Sequence, residues 1–400
     1  MRRYNMITPE GEIELLFSEC ARMRAVEKTI CKIFSRACYN EVRTPIVEFA
    51  DVFTTGVGAI PMENMLKLTD GKGRLMVVRP DSTLPIARMA ASKLREARLP
   101  LRIYYNQTSY RTGGGRGKSM RTAQAGIELI GAGGKAADLE VLSLAVAALG
   151  ACLDDFRIEI GHSGIFRALS KKLDVSDAKR EELREYIESK NYAALSAELE
   201  QLEQTDAVKA MERLPRLFGG AEVLDEARCI VTDDETAEQL EYLGEIYKEL
   251  SKLGLGEKLM IDLGLVNQND YYTGLVFSAY AYGSGETVLS GGRYDTLLEQ
   301  FGFDNPACGF GINLDALTKA VSSENTTSAA VPDVLIAAQS GKEIEALRYM
   351  TQLGETGLVC EFSVLENEGK TVQAAKERKI ARVDIVSDTV KSINTGEENA

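Results

Sequence analysis

The sequence predicts an α+β protein with one discontinuous sheet covered by helices, a helical insertion and a small C-terminal α/β domain. Short β-branched and aromatic runs separated by Gly and Pro fill residues 39–161 and return over residues 259–317. The segment between them, about residues 163–253, has helical spacing and is rich in Glu, Lys, Leu and Ala. Because the two flanking segments share one character, we expect them to complete a single sheet.

The first part of the chain supports this assignment element by element. Apolar side chains at helical spacing predict an amphipathic opening helix over residues 11–38. Strands are predicted at 76–78, 102–105 and 127–130, and helices at 81–94 and 136–149.

The chain beyond the insertion returns to strands. They are predicted at 259–263, 275–282 and 287–290, followed by a helical stretch over 294–301 and a strand-to-helix passage over 309–317. The small polar run 322–330 is the predicted linker. It divides a body of residues 1–321 from a C-terminal domain of residues 331–400, whose strands are expected at 334–338, 358–365 and 383–387.

Composition excludes several classes of protein. Of the 400 residues, 44% are hydrophobic and 27% charged, which is typical of a globular protein. The longest apolar runs, such as 139–149, stop short of the roughly 20 residues that a bilayer span needs, and no N-terminal segment resembles a signal peptide. We therefore predict a cytoplasmic protein without a membrane partner.

Charge and cysteine usage exclude further classes. The formal net charge of −13 opposes non-specific binding to nucleic acid, whose affinity comes mostly from Lys and Arg on phosphates. Seven cysteines without CxxC spacing suggest neither a disulfide framework nor a cysteine zinc site. The single histidine, His162, cannot build a multi-histidine metal site and is expected to be structural. No metal or cofactor is predicted.

The glycine-rich run 113–119 ends like a phosphate-binding P-loop but does not match one. Thr112 stands where the motif needs its leading glycine, and a predicted strand follows where the motif needs a helix. We expect an exposed hairpin loop.

Polar segments at the ends or on one face of predicted strands suggest a site for a small zwitterion. Carboxylates such as Asp81 and Glu128 can pair with an ammonium group, an arginine can hold a carboxylate, and a buried tyrosine can contact a ring. The four segments are residues 79–83, 110–111, 124–128 and 270–274.

The order of these segments resembles that in histidyl-tRNA synthetases. Residues 290–295 (SGGRYD) and 308–311 (CGFG) continue the series, and residues 39–45 resemble the dimer-forming first motif of class II synthetases. The resemblance covers roughly residues 5–320 and implies a class II antiparallel sheet flanked by helices, and a dimer. It also implies a histidine site with Asp81, Thr83 and Gln124 at the α-amino group, Glu128 and Tyr271 or Tyr272 near the imidazole, and Arg111 as a candidate for the carboxylate.

The departures from the synthetase pattern concern ATP. Asn267 replaces the arginine associated with amino-acid activation, and Ala316 replaces the arginine that holds the ATP γ-phosphate. Gly113 and Gly114 occupy the stretch where the synthetase has an acidic residue involved with adenine. Since a single well-placed donor is commonly worth two to three orders of magnitude in rate, the loss of two arginines should abolish adenylation.

A synthetase-like body that keeps its histidine pocket resembles the regulatory subunits of ATP phosphoribosyltransferase. That family implies a chain without catalytic activity that assembles with a short-form catalytic subunit for the first step of histidine biosynthesis. It further implies a homodimer core within a hetero-octamer of four regulatory and four catalytic chains, and feedback inhibition when histidine binds.

Two alternatives stay open. One is a divergent but active histidyl-tRNA synthetase, and the other is a free-standing histidine-binding or amino-acid-ligating paralogue. The C-terminal domain carries eight Lys or Arg against twelve Asp or Glu, so it resembles a truncated anticodon-binding domain that does not bind RNA. The dimer-forming segment 42–53 and exposed loops are candidates for the surface that meets the catalytic subunit.

Overall fold

The computed structural model describes residues 4–112, 119–266, 271–282, 284–321 and 331–395. The predicted linker, Asn267, and the glycine-rich run apart from Ser119 lie outside the described residues. The chain divides into two compact units, one of residues 1–15 and 23–323 and one of residues 16–22 and 324–400.

The described residues contain both α-helices and β-strands. The α-helices are α1 (Ser18–Arg36), α2 (Asp51–Thr54), α3 (Thr83–Lys93), α4 (Lys135–Gly150), α5 (Ser163–Lys171), α6 (Asp177–Glu188), α7 (Tyr192–Leu199), α8 (Asp206–Arg213), α9 (Glu222–Ile230), α10 (Asp234–Lys252), α11 (Leu314–Ala320), α12 (Glu343–Glu355) and α13 (Glu368–Glu377). The β-strands are β1 (Asn40–Glu41), β2 (Val47–Phe49), β3 (Lys67–Thr69), β4 (Leu75–Val78), β5 (Leu101–Tyr110), β6 (Arg121–Ile130), β7 (Phe156–His162), β8 (Phe218–Gly219), β9 (Leu259–Asp262), β10 (Leu275–Ala281), β11 (Thr287–Arg293), β12 (Ala307–Asn313), β13 (Val334–Ala338), β14 (Cys360–Phe362), β15 (Arg382–Val386) and β16 (Val390–Asn394).

The main sheet of the larger unit joins strands from both sides of the helical insertion, as predicted. Within the described residues its order is β1-β5-β6-β12-β11-β10-β7-β9-β8. In this order, every neighbouring pair between β5 and β7 is antiparallel, which covers β5, β6, β12, β11, β10 and β7. In contrast, β1 runs parallel to β5, and β9 runs parallel to β7. A parallel neighbour requires a long crossover, and the insertion between β7 and β9 supplies it. The sheet is therefore mixed at its edges and antiparallel in its middle.

The helices of the insertion, α5 to α10, begin at polar caps, with the exception of α9, which follows Ala221. The side chains of Ser176, Asn191, Thr205 and Asp233 each accept a hydrogen bond from a backbone N–H in the first turn that follows. Apolar residues of these helices are continuous with the core on one face of the main sheet. The insertion thus extends the main core.

Alternation along the central strands separates the two faces of the main sheet. Ile127 and Leu129 of β6 pack in a core with residues of α1 and α4. Because side chains alternate along a strand, Gln124 and Glu128 point to the opposite face. On that face α2 and α3 build a second core, which includes Tyr105 of β5. The polar positions of β6 therefore lie at the edge of this second core.

The extents of two predicted helices were wrong. The opening helix begins at Ser18, because Phe17 has a φ of +43°, which a right-handed helix cannot contain. The helical stretch predicted over 294–301 contains only a short 3-10 turn, Glu299–Phe301. The Tyr294 backbone N–H still donates to Ala307 O (2.8 Å), so the chain there continues to follow β12. Strand β16 was not predicted.

The C-terminal unit contains the predicted small α/β sheet. β14, β13 and β15 are parallel, and α12 and α13 supply the crossovers. β16 adds an antiparallel strand beside β15. Among the described residues, no helix is both long and apolar enough to cross a membrane.

A buried ion pair joins the main sheet to two helices. Arg293, at the end of β11, donates through Nη2 to Oδ1 of Asp138 in the first turn of α4 (2.6 Å). The hydroxyl of Tyr242, on α10, donates to the other oxygen of the same carboxylate (2.6 Å). Asp138 is 2% and Arg293 6% exposed. Arg293 also pairs with the partly exposed Asp295 (2.9 Å), so Asp138 is its buried counter-charge.

Asp138→Asn should lower the free energy of unfolding by about 3 kcal/mol, because it removes the buried counter-charge of Arg293 and leaves the guanidinium only the partly exposed Asp295 (2.9 Å). Urea denaturation followed by circular dichroism measures this. Asp155→Asn is the control, since it removes the exposed Arg157–Asp155 pair (3.0 Å) and should cost less than about 1 kcal/mol. Equal losses in the two variants would contradict the assigned role of the buried pair.

Candidate functional site

The polar segments meet on the face of the main sheet that carries Gln124 and Glu128. One cavity of about 260 Å³ lies there, at the start of α3 and across β5, β6 and β12. Its volume lies just below the ~300–1,000 Å³ of typical small-molecule pockets, so it suits a ligand about the size of an amino acid. All seven residues predicted to bind histidine line it: Asp81, Thr83, Arg111, Gln124, Glu128, Tyr271 and Tyr272.

Glu128 forms the floor of the cavity and is 2% exposed. Its carboxyl group accepts a hydrogen bond from the Thr83 hydroxyl (2.9 Å) and another from the Tyr294 hydroxyl. Burial raises the pKa of Glu128 from its ordinary value of 4.5 to about 8, although both hydrogen bonds act in the opposite direction. In the ligand-free protein at neutral pH, this carboxyl group is therefore mostly protonated.

Asp81 and Arg111 place opposite charges in the cavity wall. Asp81 Oδ1 accepts the backbone N–H of Leu84 (2.9 Å) and so caps the first turn of α3. Its other oxygen lies 3.9 Å from Nη2 of Arg111, whose Nε donates to Pro80 O (2.9 Å). The Arg111 side chain is 47% exposed. The pair offers a zwitterion one partner for its ammonium group and one for its carboxylate.

Three tyrosines form an aromatic cluster beside Glu128. The ring centroid of Tyr271 lies 4.8 Å from that of Tyr272 and 5.7 Å from that of Tyr294. Burial raises the pKa values of Tyr271 and Tyr294 well above the ordinary tyrosine value of 10.0, so both hydroxyls stay protonated at neutral pH. They are therefore hydrogen-bond donors, next to faces that can contact a planar ring.

Two tyrosines of the cavity, Tyr294 and Tyr105, were not predicted. Tyr294 belongs to the SGGRYD motif of residues 290–295, so the motif could have marked it as a site residue. The sequence gives no indication of its hydrogen bond to Glu128. Tyr105 pairs with Gly126 in the β5·β6 register, which brings its ring over the cavity face.

Glycine keeps this face of the sheet open. A Cβ atom at Gly309 would collide with the Glu128 carboxyl group, and one at Gly311 would collide with the Gln124 amide. Both glycines lie on β12, which pairs with the strand that carries Gln124 and Glu128. The close approach of two backbones thus makes room for the polar side chains.

Arg79 begins the first polar segment but does not line the cavity. Its guanidinium is buried and donates to the carbonyl oxygens of Thr44 (2.9 Å), Pro45 (2.9 Å) and Thr108 (2.6 Å). It holds the chain before β2 against β5 and is a structural residue.

Ala316 lies in the first turn of α11 and is buried. Beside it, Asp315 accepts Arg121 Nη1 (3.0 Å) and the backbone N–H of Ala123 (2.7 Å). Arg121 is thus engaged by a carboxylate of the protein.

His162 ends β7, where its Nδ1 accepts the backbone N–H of Gly164 (3.2 Å). Burial, followed by the nearby Arg167 and Arg293 charges, lowers its pKa from 6.5 to about 4. It is neutral at pH 7 and caps α5, as expected for a structural histidine. Within the described ranges, no three His, Cys, Asp or Glu side chains are grouped to hold a metal ion.

The raised pKa of Glu128 predicts that the free energy of unfolding depends on pH. Above pH 4.5 the unfolded chain releases the Glu128 proton, whereas the folded protein keeps it until about pH 8. The free energy of unfolding of the wild type, relative to Glu128→Gln, should therefore fall across this window, by up to about 1.4 kcal/mol per pH unit.

Urea denaturation at several pH values measures the difference. Glu238→Gln, an exposed position on α10, is the control and should run parallel to the wild type. A constant difference between wild type and Glu128→Gln across the window would show that Glu128 is ionised throughout.

Comparison with known proteins shows the family of this chain. The histidyl-tRNA synthetase family model matches residues 11–317. A protein of Clostridium kluyveri named ATP phosphoribosyltransferase regulatory subunit is 36% identical over 95% of this chain and 99% of its own length. A protein of the same name from Clostridium acetobutylicum is 36% identical over 96% of each chain.

Solved structures give the same result. An ATP phosphoribosyltransferase regulatory subunit/histidyl-tRNA synthetase from Bacillus halodurans superposes with a TM-score of 0.83 at 28% identity, covering 93% of this chain and 97% of that one. A histidyl-tRNA synthetase from Nostoc shares the fold, with a TM-score of 0.79 at 20% identity over 98% of this chain and 97% of its own. The predicted class II synthetase-like fold is confirmed. The chain belongs to the family of ATP phosphoribosyltransferase regulatory subunits, which share the histidyl-tRNA synthetase fold.

Proposed function

We propose that this chain is a non-catalytic regulatory subunit that activates a short-form ATP phosphoribosyltransferase catalytic subunit and relays feedback inhibition by histidine. The names of its relatives support the first part of this proposal. The cavity supports the second part. The observation that carries it is the convergence, in one amino-acid-sized cavity, of all seven residues predicted to bind histidine.

The cavity offers a partner for each group of histidine. Asp81 faces the ammonium group, with Thr83 and Gln124 as neutral hydrogen-bonding neighbours, and Arg111 is the candidate for the carboxylate. Glu128 and the tyrosines meet the imidazole. With a pKa of about 8, Glu128 can donate a proton in a hydrogen bond to a neutral imidazole nitrogen or, when ionised, pair with an imidazolium.

The surroundings of Ala316 support a role in binding without adenylation. An alanine cannot neutralise a γ-phosphate, and Arg121 is already paired with Asp315. Asn267, in place of the arginine associated with amino-acid activation, also argues against adenylation. An active synthetase would catalyse histidine-dependent exchange between ATP and pyrophosphate, whereas the proposed regulatory subunit would not.

The assembly follows from the same proposal. The segment 42–53 exposes Ile46, Val47 and Phe49, apolar side chains suited to burial in a homodimer. This dimer would be the core of the hetero-octamer with four catalytic chains. The charge of −13 disfavours RNA as a partner, and we assign the assembly to the cytoplasm.

Asp81→Asn should weaken histidine binding by roughly ten- to a hundredfold, because it removes the charge that pairs with the ammonium group. Isothermal titration calorimetry measures the affinity. Asparagine is as good a helix cap as aspartate, so α3 should be preserved.

Asp233→Asn is the matched control, since Asp233 caps α10 in the same way but lies outside the cavity. It should bind histidine like the wild type. Wild-type affinity in Asp81→Asn would remove Asp81 from the proposed site, and no binding to the wild-type chain or its assembled complex would remove the histidine sensor altogether.

A further inference from the structure

The first helix of the insertion, α5, forms hydrogen bonds to the backbone beside the ligand cavity, the cavity of about 260 Å³ that we propose as the histidine site. Arg167, on α5, donates through Nη2 to the carbonyl oxygen of Tyr272 (2.6 Å). Ser163, one turn earlier on the same helix, has its hydroxyl 3.0 Å from that oxygen and 3.0 Å from Gly274 O, and its backbone N–H donates to Gly274 O (2.9 Å). These contacts tie α5 to residues 272–274.

Tyr272 lines the ligand cavity together with Glu128 and Tyr271. It also lines a cavity of about 320 Å³, whose wall includes Arg167 of α5 and Arg180 of α6, and a further one of about 360 Å³. A change in the position of Tyr272 therefore changes the ligand cavity and the contact with the insertion together.

The ring of Tyr272 is linked to Glu128, the floor of the cavity, through the neighbouring tyrosines. Tyr272 lies 4.8 Å from Tyr271 and 6.5 Å from Tyr294, measured between centroids, and the Tyr294 hydroxyl donates to Glu128. A ligand that moves Glu128 or its aromatic neighbours must therefore displace the ring of Tyr272 or be resisted by it.

We propose that Arg167, assisted by Ser163, is a positioning residue that fixes Tyr272 and makes α5 respond to occupancy of the ligand cavity. The proposal rests on histidine as the ligand, as proposed above. Arg167 does not line the ligand cavity, so its influence on the ligand must pass through Tyr272. The carbonyl contact is a charge-assisted hydrogen bond, among the stronger contacts available to an uncharged backbone group.

Two variants and one control test the assignment. Arg167→Met keeps the aliphatic stem but removes the donors, and Arg167→Lys restores one charged donor. Arg180→Met makes the same change on α6, where the guanidinium donates to Ser170 O (3.0 Å) and Asp177 Oδ1 (2.5 Å) rather than to Tyr272. It perturbs the insertion without touching the Tyr272 carbonyl.

The first measurement needs no ligand. The chain has no tryptophan, so its near-ultraviolet circular dichroism in the tyrosine region reports on the 15 tyrosines and the packing of their rings. Arg167→Met should change this spectrum, Arg167→Lys should restore most of it, and Arg180→Met should match the wild type. A wild-type spectrum in Arg167→Met, or the same change in Arg180→Met, would overturn the positioning role.

The second measurement follows histidine. Arg167→Met should bind it about tenfold more weakly by calorimetry, with Arg167→Lys between the two and Arg180→Met unchanged. Hydrogen exchange of the α5 amides should slow on histidine addition in the wild type and not in Arg167→Met. Equal affinity and equal protection would overturn the coupling. If the wild type binds no histidine, the proposed function fails, and the ligand-free spectra alone decide the role of Arg167.

Discussion

The period-two alternation of the antiparallel pair β6·β12 is the constraint on which both the core and the ligand cavity depend. On one face, Ile127, Leu129 and Phe310 complete the apolar core under α1 and α4. On the other, Gln124 and Glu128 face Gly309 and Gly311, whose missing side chains leave room for them. A shift of one residue in this register would bury the polar side chains in the core and remove the cavity.

The cavity built on that face differs from its surroundings in electrostatics. Its floor is a carboxyl group that burial keeps mostly protonated, surrounded by tyrosine hydroxyls that remain donors. Its wall carries Asp81 and Arg111, which offer opposite charges to a zwitterion. This combination favours recognition of an amino acid. The neighbouring region differs, because Arg121 is paired with Asp315 and Ala316 carries no charge. Binding an amino acid without adenylating it is the behaviour expected of a sensor. Such a sensor inhibits only if its ligand binds the inhibited arrangement of the complex more tightly than the active one.

Much of this arrangement could be predicted from local sequence, because many of the residues that line the cavity lie in short polar segments at strand ends. Those segments were sufficient to predict one shared site for Asp81, Arg111, Glu128 and the two tyrosines. The residues that hold the site in place could not be found in this way. Arg79 and Arg167 act through backbone carbonyls that are distant in sequence, and only the fold brings them together.

The errors in element boundaries have the same origin. Apolar spacing continues N-terminal to Ser18, but the backbone at Phe17 is not helical. Residues after 293 have helical spacing, yet Tyr294 remains tied to Ala307 and Glu128 through contacts that no local pattern shows. β16 is exposed and lacks a clear apolar alternation, so its pairing with β15 decides its conformation.

We propose that this chain activates a separate catalytic subunit and that histidine controls the activation. The most direct measurement is phosphoribosyl transfer by a short-form catalytic subunit, alone and mixed with this chain, with and without histidine. We expect low activity for the catalytic subunit alone, activation by this chain and loss of that activation on addition of histidine. Equal activity in the presence and absence of this chain would overturn the proposed role, as would histidine-dependent exchange between ATP and pyrophosphate catalysed by this chain alone.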